Sequence, residues 1–349
     1  MKRRFRLSNR LKPKIRGERI IKTGIAVFLT SLICYLLGLP QIFAVITAIV
    51  SIEPNTYDSI RKGLIRFPAS AIGAGLAAVL VFFFGATPPA FALAAVLTIY
   101  LCQKLKLQDG TLVATLTAMA MIPDLDGPLF YQFLMRLLTT MIGITVATAV
   151  NVTVLPANYL ANVEKRHREH LLELQARIHD IAYDFLHFRG KSLNEENYLH
   201  LKQVLSKTDE LLGFQRKELR FHRYNVNVFR RYAELRQMTR LLHQAELHLG
   251  NLYYLPNPPA FSQRERDVLQ LILDHAEDLR YDKSGTPPDI HFRIVNELDG
   301  LMRYDFTNPP ELKDQDHYIN PNTHFIYELL SLFEMLQDIQ VKREQTAEK

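Results

Sequence analysis

Three long stretches without a charged residue constrain this chain more than any other feature: Thr23 to Ile52, Phe67 to Gln103 and Leu137 to Val163. A water-exposed fold coats its surface with Lys, Glu, Arg and Asp, so apolar runs of this length predict helices that lie in a lipid bilayer. The mean hydropathy of −0.04 hides this because it averages two unlike halves. Up to Pro156 the chain carries 16 basic and 6 acidic residues, and beyond it 26 and 30. Ten of the cations fall within the first 22 residues (Lys2, Arg3, Arg4, Arg6, Arg10, Lys12, Lys14, Arg16, Arg19, Lys22). Beside an apolar span such a cluster points to anionic membrane lipid as partner, and not to nucleic acid. No small-residue cleavage site follows the first apolar run, so the basic segment is expected to stay in the mature protein.

Breakers divide residues 1–158 into six spans near 20–38, 41–53, 64–84, 89–103, 110–122 and 133–156. They are Gly38-Leu39-Pro40, Pro54-Asn55, Gly85 to Pro89, Asp109-Gly110 and Pro123 to Gly127. Lys and Arg mark the N-terminus, the 54–66 connection, the 104–109 connection and the stretch after Pro156, whereas 38–40, 85–88 and 123–132 contain neither. Basic flanks stay inside, which predicts a multi-pass cell-membrane protein with both termini cytoplasmic. The spans 41–53 and 110–122 supply only about 20 Å of helix against a hydrocarbon core of about 30 Å. Short, Pro- or Gly-bounded segments at matching places are the sequence sign of a binding site built from broken helices; ordinary spans with flanks in the loops are the alternative.

Those matching places belong to an internal repeat. An offset of 70 residues aligns Ala44 with Ala114, Thr47 with Thr117, Ala48 with Ala118, Ile52 with Ile122, Arg66 with Arg136, Ile72 with Ile142, Gly73 with Gly143 and Ala77 with Ala147. The shared Arg-x5-Ile-Gly is its most informative part. Three spans separate the copies, so the second is expected upside down, giving a 3+3 inverted repeat. The stripes Ala69-Gly73-Ala77 and Thr139-Gly143-Ala147 read as close helix contacts.

Arg136 falls on the outer side among apolar residues, where a cation is disfavoured, and Arg66 is its partner in the repeat. Each planar guanidinium suits a carboxylate. Thr47 and Thr117 either hydrogen-bond a substrate or bond back to their own helix. Glu53 and Asp124, at the ends of the short spans, are candidate proton carriers. The sequence has no phosphate-binding loop, nucleophile elbow, dinucleotide fingerprint or metal-ligand spacing, so no ATP-driven pump, enzyme, cofactor or metal site is expected. Cys34 and Cys102 are expected on opposite membrane faces, without a disulfide. The 12 histidines read as surface or interface residues.

From residue 159 to 349 the pattern is that of a cytoplasmic all-helical domain, with candidates near 159–188, 194–219, 223–252, 261–281, 287–303 and 322–343 separated by Pro-rich breaks. Leu171, Leu174, Ile178, Ile181 and Phe185 form an apolar seam, as do Phe325, Leu329, Leu332, Leu336 and Ile339. Each predicts helix packing within a bundle or across a dimer. Tyr253 and Tyr254 read as buried or packed aromatics. The whole is all-α: six spans followed by a helical bundle.

The segment Gly17-Glu18-Arg19-Ile20-Ile21-Lys22-Thr23-Gly24, the run Ala44 to Ile52 with Glu53-Pro54-Asn55, then Ser59-Ile60-Arg61 and Arg66-x5-Ile-Gly resemble the bacterial aromatic acid exporter family, in the group that includes fusaric acid resistance proteins. The helical half resembles the C-terminal domain that accompanies this unit in Gram-positive members. The resemblance implies a membrane protein that exports aromatic carboxylates or similar organic anions as an oligomer. A single six-span unit, unlike the larger exporters, makes a homodimer the favoured form. Plant malate-type anion channels are similar in outline, so an organic-anion channel is the alternative. A non-transporting membrane scaffold with a partner-binding helical domain is a third reading.

Overall fold

The computed structural model describes residues 14–122, 128–154, 158–188, 195–220, 226–255, 260–276, 278–279, 288–307 and 321–347. The regular elements among these residues are all helices, with no strand among them. The chain resolves into two compact units, Met1–Ala157 with Lys217–Arg223, and Asn158–Arg216 with Tyr224–Lys349.

The first unit contains α1 (Lys14–Leu36), α2 (Gln41–Ser51), α3 (Thr56–Phe84), α4 (Pro88–Lys104), a 3₁₀ turn (Gln108–Gly110), α5 (Thr111–Met121) and α6 (Leu129–Thr153). Local chemistry fixes several ends. Asn55 caps α3 by accepting from the Asp58 N–H at 2.8 Å. Gly85, at φ 66°, closes α3 by donating to the Val81 carbonyl. Pro88 and Pro89 open α4, where missing N–H groups cost nothing. The sequence places Arg61 and Lys62 in a connection, but α3 begins at Thr56 and carries both in its first two turns. The Asn55 cap and the acidic first-turn Asp58 outweigh the low apolarity of that stretch.

Among the described residues three helices are long and apolar enough to cross a membrane: Gly17–Leu36, Thr56–Phe84 and Phe130–Thr153. The helices α2 and α5 have 11 residues each and α4 has 17. Side-chain sizes are distributed inside out. The buried positions hold Ala26, Ala44, Ala48, Ala69, Ala74, Ala77, Ala94, Ala114, Ala118 and Ala147, while Leu64, Phe82, Phe83 and Phe130 are each more than 70 % exposed. In water that arrangement would forfeit most of the hydrophobic gain; in lipid, small residues inside let helices pack closely and large ones outside face acyl chains.

The helix pairings nearly map onto themselves when α1, α2 and α3 exchange with α4, α5 and α6. Thus α3 packs on α5 as α6 packs on α2, α1 on α2 as α4 on α5, and α3 on α4 as α6 on α1. Glycines mark the closest approach on both sides. A Cβ at Gly73 would overlap the Ala114 carbonyl, and one at Gly143 would overlap the Ala44 carbonyl. The matched glycines therefore seat on the matched alanines of the opposite copy.

The second unit contains α7 (Leu160–Phe188), α8 (Glu195–Glu218, its last two residues grouped with the first unit), α9 (Val226–Tyr253), α10 (Gln263–Asp274), α11 (Asp289–Thr307) and α12 (Pro321–Ala347). Here Leu, Ile and Phe are inside. Both apolar seams enter one continuous core, so α7 and α12 pack within this chain. Helix α10 ends at Asp274, earlier than the apolar pattern suggests, and starts at a capping box of Ser262 and Glu265. Two aromatic positions differ from each other: Tyr253 stacks on Tyr198 at 5.4 Å, whereas Tyr254 is exposed, its hydroxyl donating to Glu195 at 2.7 Å. Three histidines expected at the surface are buried: His167, His170 and His291. They occupy core-facing positions of α7 and α11, a placement that residue type alone does not reveal.

Candidate functional site

Six buried polar side chains of the first unit, Ser51, Asn55, Thr56, Asp58, Ser59 and Arg66, fall between the end of α2 and the first three turns of α3. Glu53 lies two residues beyond the end of α2, after the C-cap Ile52. Its Oε1 accepts from Arg66 Nη2 at 2.5 Å and its Oε2 from Lys62 Nζ at 2.9 Å. Helical spacing puts Lys62 and Arg66 on one face of α3, so a single carboxylate reaches both. Arg66 is buried, and its Nε and Nη1, also buried, have no hydrogen-bond partner. The backbone of α3 at Ile65 and Arg66 lies against Gly110, where an added Cβ would be 3.1 Å from the Ile65 carbonyl. Arg66 therefore sits where the two copies of the repeat meet. The trio Lys62, Glu53 and Arg66 carries one net positive charge in a largely apolar unit.

Arg136, on α6, is buried with its guanidinium carbon 3.4 Å from the centre of the Phe43 ring on α2, a cation–π contact. Thr47 is buried on α2, packs towards Gly143 and donates its hydroxyl to the Phe43 carbonyl at 2.9 Å. Thr117 is buried at the matching place on α5. Asp124 lies outside the described residues. The structure thus brings Glu53 to Arg66, and Arg136 to the helix that carries Thr47.

Sequence reading missed a second group of polar residues joined to this trio through the Glu53 backbone. Lys22, on α1, is buried and donates to Asn151 Oδ1 at 2.9 Å. The Asn151 amide on α6 donates in turn to Ser59 Oγ at 2.7 Å and to the Glu53 carbonyl at 3.1 Å. One asparagine so ties α1, the end of α2 and α3 together, satisfying groups whose burial would otherwise be costly. In the sequence Lys22 is merely the last of ten cations, and Asn151 an isolated polar residue in an apolar run. Lys217 and Glu218 belong to the same unit: Lys217 Nζ pairs with Asp58 at 2.9 Å, and Glu218 accepts from the Thr56 N–H and hydroxyl, both at 2.8 Å. Glu218 thereby satisfies a free N–H at the start of α3.

Comparison with known proteins identifies relatives of this chain. Residues 14–154 match the model of aromatic acid exporter family member 1. The chain is 38 % identical over 330 residues to a UPF0421 protein of Bacillus cereus, covering 93 % of this chain and 92 % of that one. UPF0421 proteins of Oceanobacillus iheyensis (36 % over 330 residues, 92 % and 94 % covered) and Staphylococcus saprophyticus (36 % over 336 residues, 93 % and 96 % covered) are similar over the same extent. The chain belongs to the UPF0421 proteins, and its membrane unit is a member of the aromatic acid exporter family.

Proposed function

We propose that this protein is a membrane transporter that exports aromatic carboxylic acids or similar organic anions. The observation that carries the reading is Arg66: a buried cation with unused donors, in a cluster of net positive charge, within the segment that matches the exporter family. A carboxylate is the complementary ligand for such a fork. Arg136 holds the matching place in the second copy and takes the same role from the other side of the membrane, with Thr47 and Thr117 along the path. Glu53 and Asp124 are the proton-carrying candidates.

In this reading α2, α4 and α5 complete six crossings with α1, α3 and α6, the copies are inverted, both termini are cytoplasmic, and the functional form is a dimer. The exchange symmetry of the helix pairings supports the repeat. The short α2 and α5 leave room for ligand at their ends. The remaining chain, from 159 to 349, forms a cytoplasmic helical domain.

The test is efflux of aromatic and aliphatic carboxylates from proteoliposomes, with and without an imposed proton gradient, for wild type and Arg136→Ala. Gradient-dependent aromatic efflux lost in the folded variant is the expected result. Flux indifferent to the gradient and scaling with voltage would replace the exporter by a channel. Absence of flux under all conditions, with a partner lost on deleting 159–349, would replace it by a scaffold.

A further inference from the structure

We infer that Thr140 is a ligand-binding residue whose hydroxyl donates to the carboxylate that Arg136 attracts, so that guanidinium and hydroxyl form one anion site on α6. This inference rests on the transport reading and adds a residue to its binding machinery. Thr140 stands at the middle of the 25-residue α6, one turn and about 6 Å along the axis from Arg136. It is 1 % exposed, and its hydroxyl has no hydrogen-bond partner. A threonine inside a helix can give its proton to the carbonyl four residues back, as Thr47 does to Phe43 and Thr115 to Thr111. For Thr140 that acceptor is the Arg136 carbonyl, which already takes the helical bond from the Thr140 N–H and a 3.0 Å bond from the Thr139 hydroxyl. A carbonyl oxygen has two lone pairs, and both are used. The Thr140 proton is therefore left for a group from outside the helix.

The neighbouring helix keeps the cation beside this hydroxyl. Gly143 seats against Ala44 and Thr47, and the Asn151 amide reaches the Glu53 carbonyl, so α2 and α6 run side by side in the same direction. In that register Phe43 is level with the turn of α6 that holds Thr140, and the Arg136 guanidinium lies on the Phe43 ring. The ring holds the cation by its face, a contact that uses none of the guanidinium N–H groups. Positions four apart share a face of the helix, so one anion can reach both groups. The first copy repeats the spacing as Arg66 and Ser70, but there the Ser70 hydroxyl donates to the Phe67 carbonyl at 3.0 Å and Glu53 holds Arg66. Ala69 stands in the place of Thr139, and Val113 in the place of Phe43. Thr30 and Thr98 also keep unused hydroxyls, yet no cation stands within a turn of either on its helix. Among the described residues Thr140 is the threonine that combines an unused proton with an arginine one turn away. An unpaired hydroxyl in apolar surroundings is costly, and the same surroundings strengthen its bond to an anion.

The experiment measures benzoate binding to the purified full-length protein in nanodiscs at about pH 7.5, where a carboxylate of ordinary acidity is ionised. Thr140→Val keeps the shape of the side chain and removes the hydroxyl. It is expected to weaken binding by about tenfold to hundredfold, the loss of one hydrogen bond to a charged group, with a melting temperature no lower than that of wild type. Thr140→Ser keeps the hydroxyl and is expected to bind nearly as wild type does. Thr98→Val, which removes an equally buried hydroxyl with no cation beside it, is expected to leave binding unchanged, and Arg136→Ala to abolish it. Where Thr140→Val does not fold, Thr140→Ala is read in its place by the same criteria. Wild-type affinity in the variant lacking the hydroxyl, or an equal loss in Thr140→Ser or Thr98→Val, would overturn the inference, and loss of binding in Arg136→Ala alone would leave the transport reading intact. Undiminished binding by Arg136→Ala would overturn the site itself. No binding of benzoate or of any carboxylate in the efflux panel by wild type would sink both.

Discussion

Lowering the pH should loosen α7 within the second unit, and the size of the effect follows from two buried rings. His167 and His170 lie one turn apart on α7 and are almost inaccessible to water. The Thr239 hydroxyl spends its proton on the Leu235 carbonyl at 2.9 Å, so it accepts from His167 Nε2–H at 2.8 Å. Neither nitrogen of His170 has a hydrogen-bond partner. Burial, with smaller contributions from His170, Arg343 and Arg231, pushes His167 from 6.5 down to about 3. Burial, with His243 adding to it, pushes His170 from 6.5 down to about 4. Both shifts are downward, so the unfolded chain binds more protons than the folded one below pH 6.5, and stability is lost as pH falls from there towards the folded values. At about pH 5 the unfolded rings are charged and the folded ones are not, a gap of about 1.5 units that costs each histidine about 2 kcal/mol. Glu246 opposes this, because burial raises its carboxyl and favours the acid side, so the clean measurement is a difference between variants. Hydrogen exchange of α7 amides in the full-length protein, corrected for the intrinsic pH dependence of exchange, is read at about pH 7.5 and 5 for wild type and His170→Leu. The variant also removes two unsatisfied buried nitrogens and should be more stable at neutral pH by about 1–2 kcal/mol. Between the two pH values it should lose about 2 kcal/mol less than wild type. An equal loss in both proteins would refute the assignment of acid sensitivity to the buried ring.

Other substitutions probe the packing and the caps. Gly73→Ala and Gly143→Ala should each destabilise the first unit by about 1–3 kcal/mol, lowering its melting temperature in detergent, because the new methyl meets a backbone carbonyl on the facing helix. Gly75→Ala on the same α3 should not, since its Cβ would find only the Phe133 ring at 4.0 Å. Asn151→Leu strands Lys22 and should cost about 3 kcal/mol or more, measured by the same melt, while Lys22→Met should cost less by removing the stranded charge. Ser262→Ala should remove about 1 kcal/mol from α10 and raise exchange confined to its first turn.

What the sequence revealed, and what it concealed, divides along the range of the interactions. Chain-local patterns were legible: uncharged runs gave the apolar helices, the Leu171–Phe185 and Phe325–Ile339 seams reached a common core, and the small-residue stripes marked close helix contacts, while their partners, Ala114 for Gly73 and Ala44 for Gly143, emerge only in the fold. Helix starts set by a cap were harder, since Asn55 and Asp58 carry α3 through a polar turn that hydropathy assigns to a loop. Arg66 and Glu53 could each be singled out as a charge beside an apolar span, but their ion pair needs the chain to turn between α2 and α3. Lys22 with Asn151 joins residues 129 apart, and Thr56 with Glu218 joins residues 162 apart. No periodicity encodes such a meeting. A lysine that ends a basic run looks solvated until another helix covers it, and an asparagine near the end of an apolar helix looks like a capping residue until its amide meets the Glu53 carbonyl and the Ser59 hydroxyl. Buried polar partners of this kind are specified by tertiary approach alone, so residue type and position single out Glu53 and Arg66 one by one, and only the folded arrangement joins them, with Lys62, into one cluster.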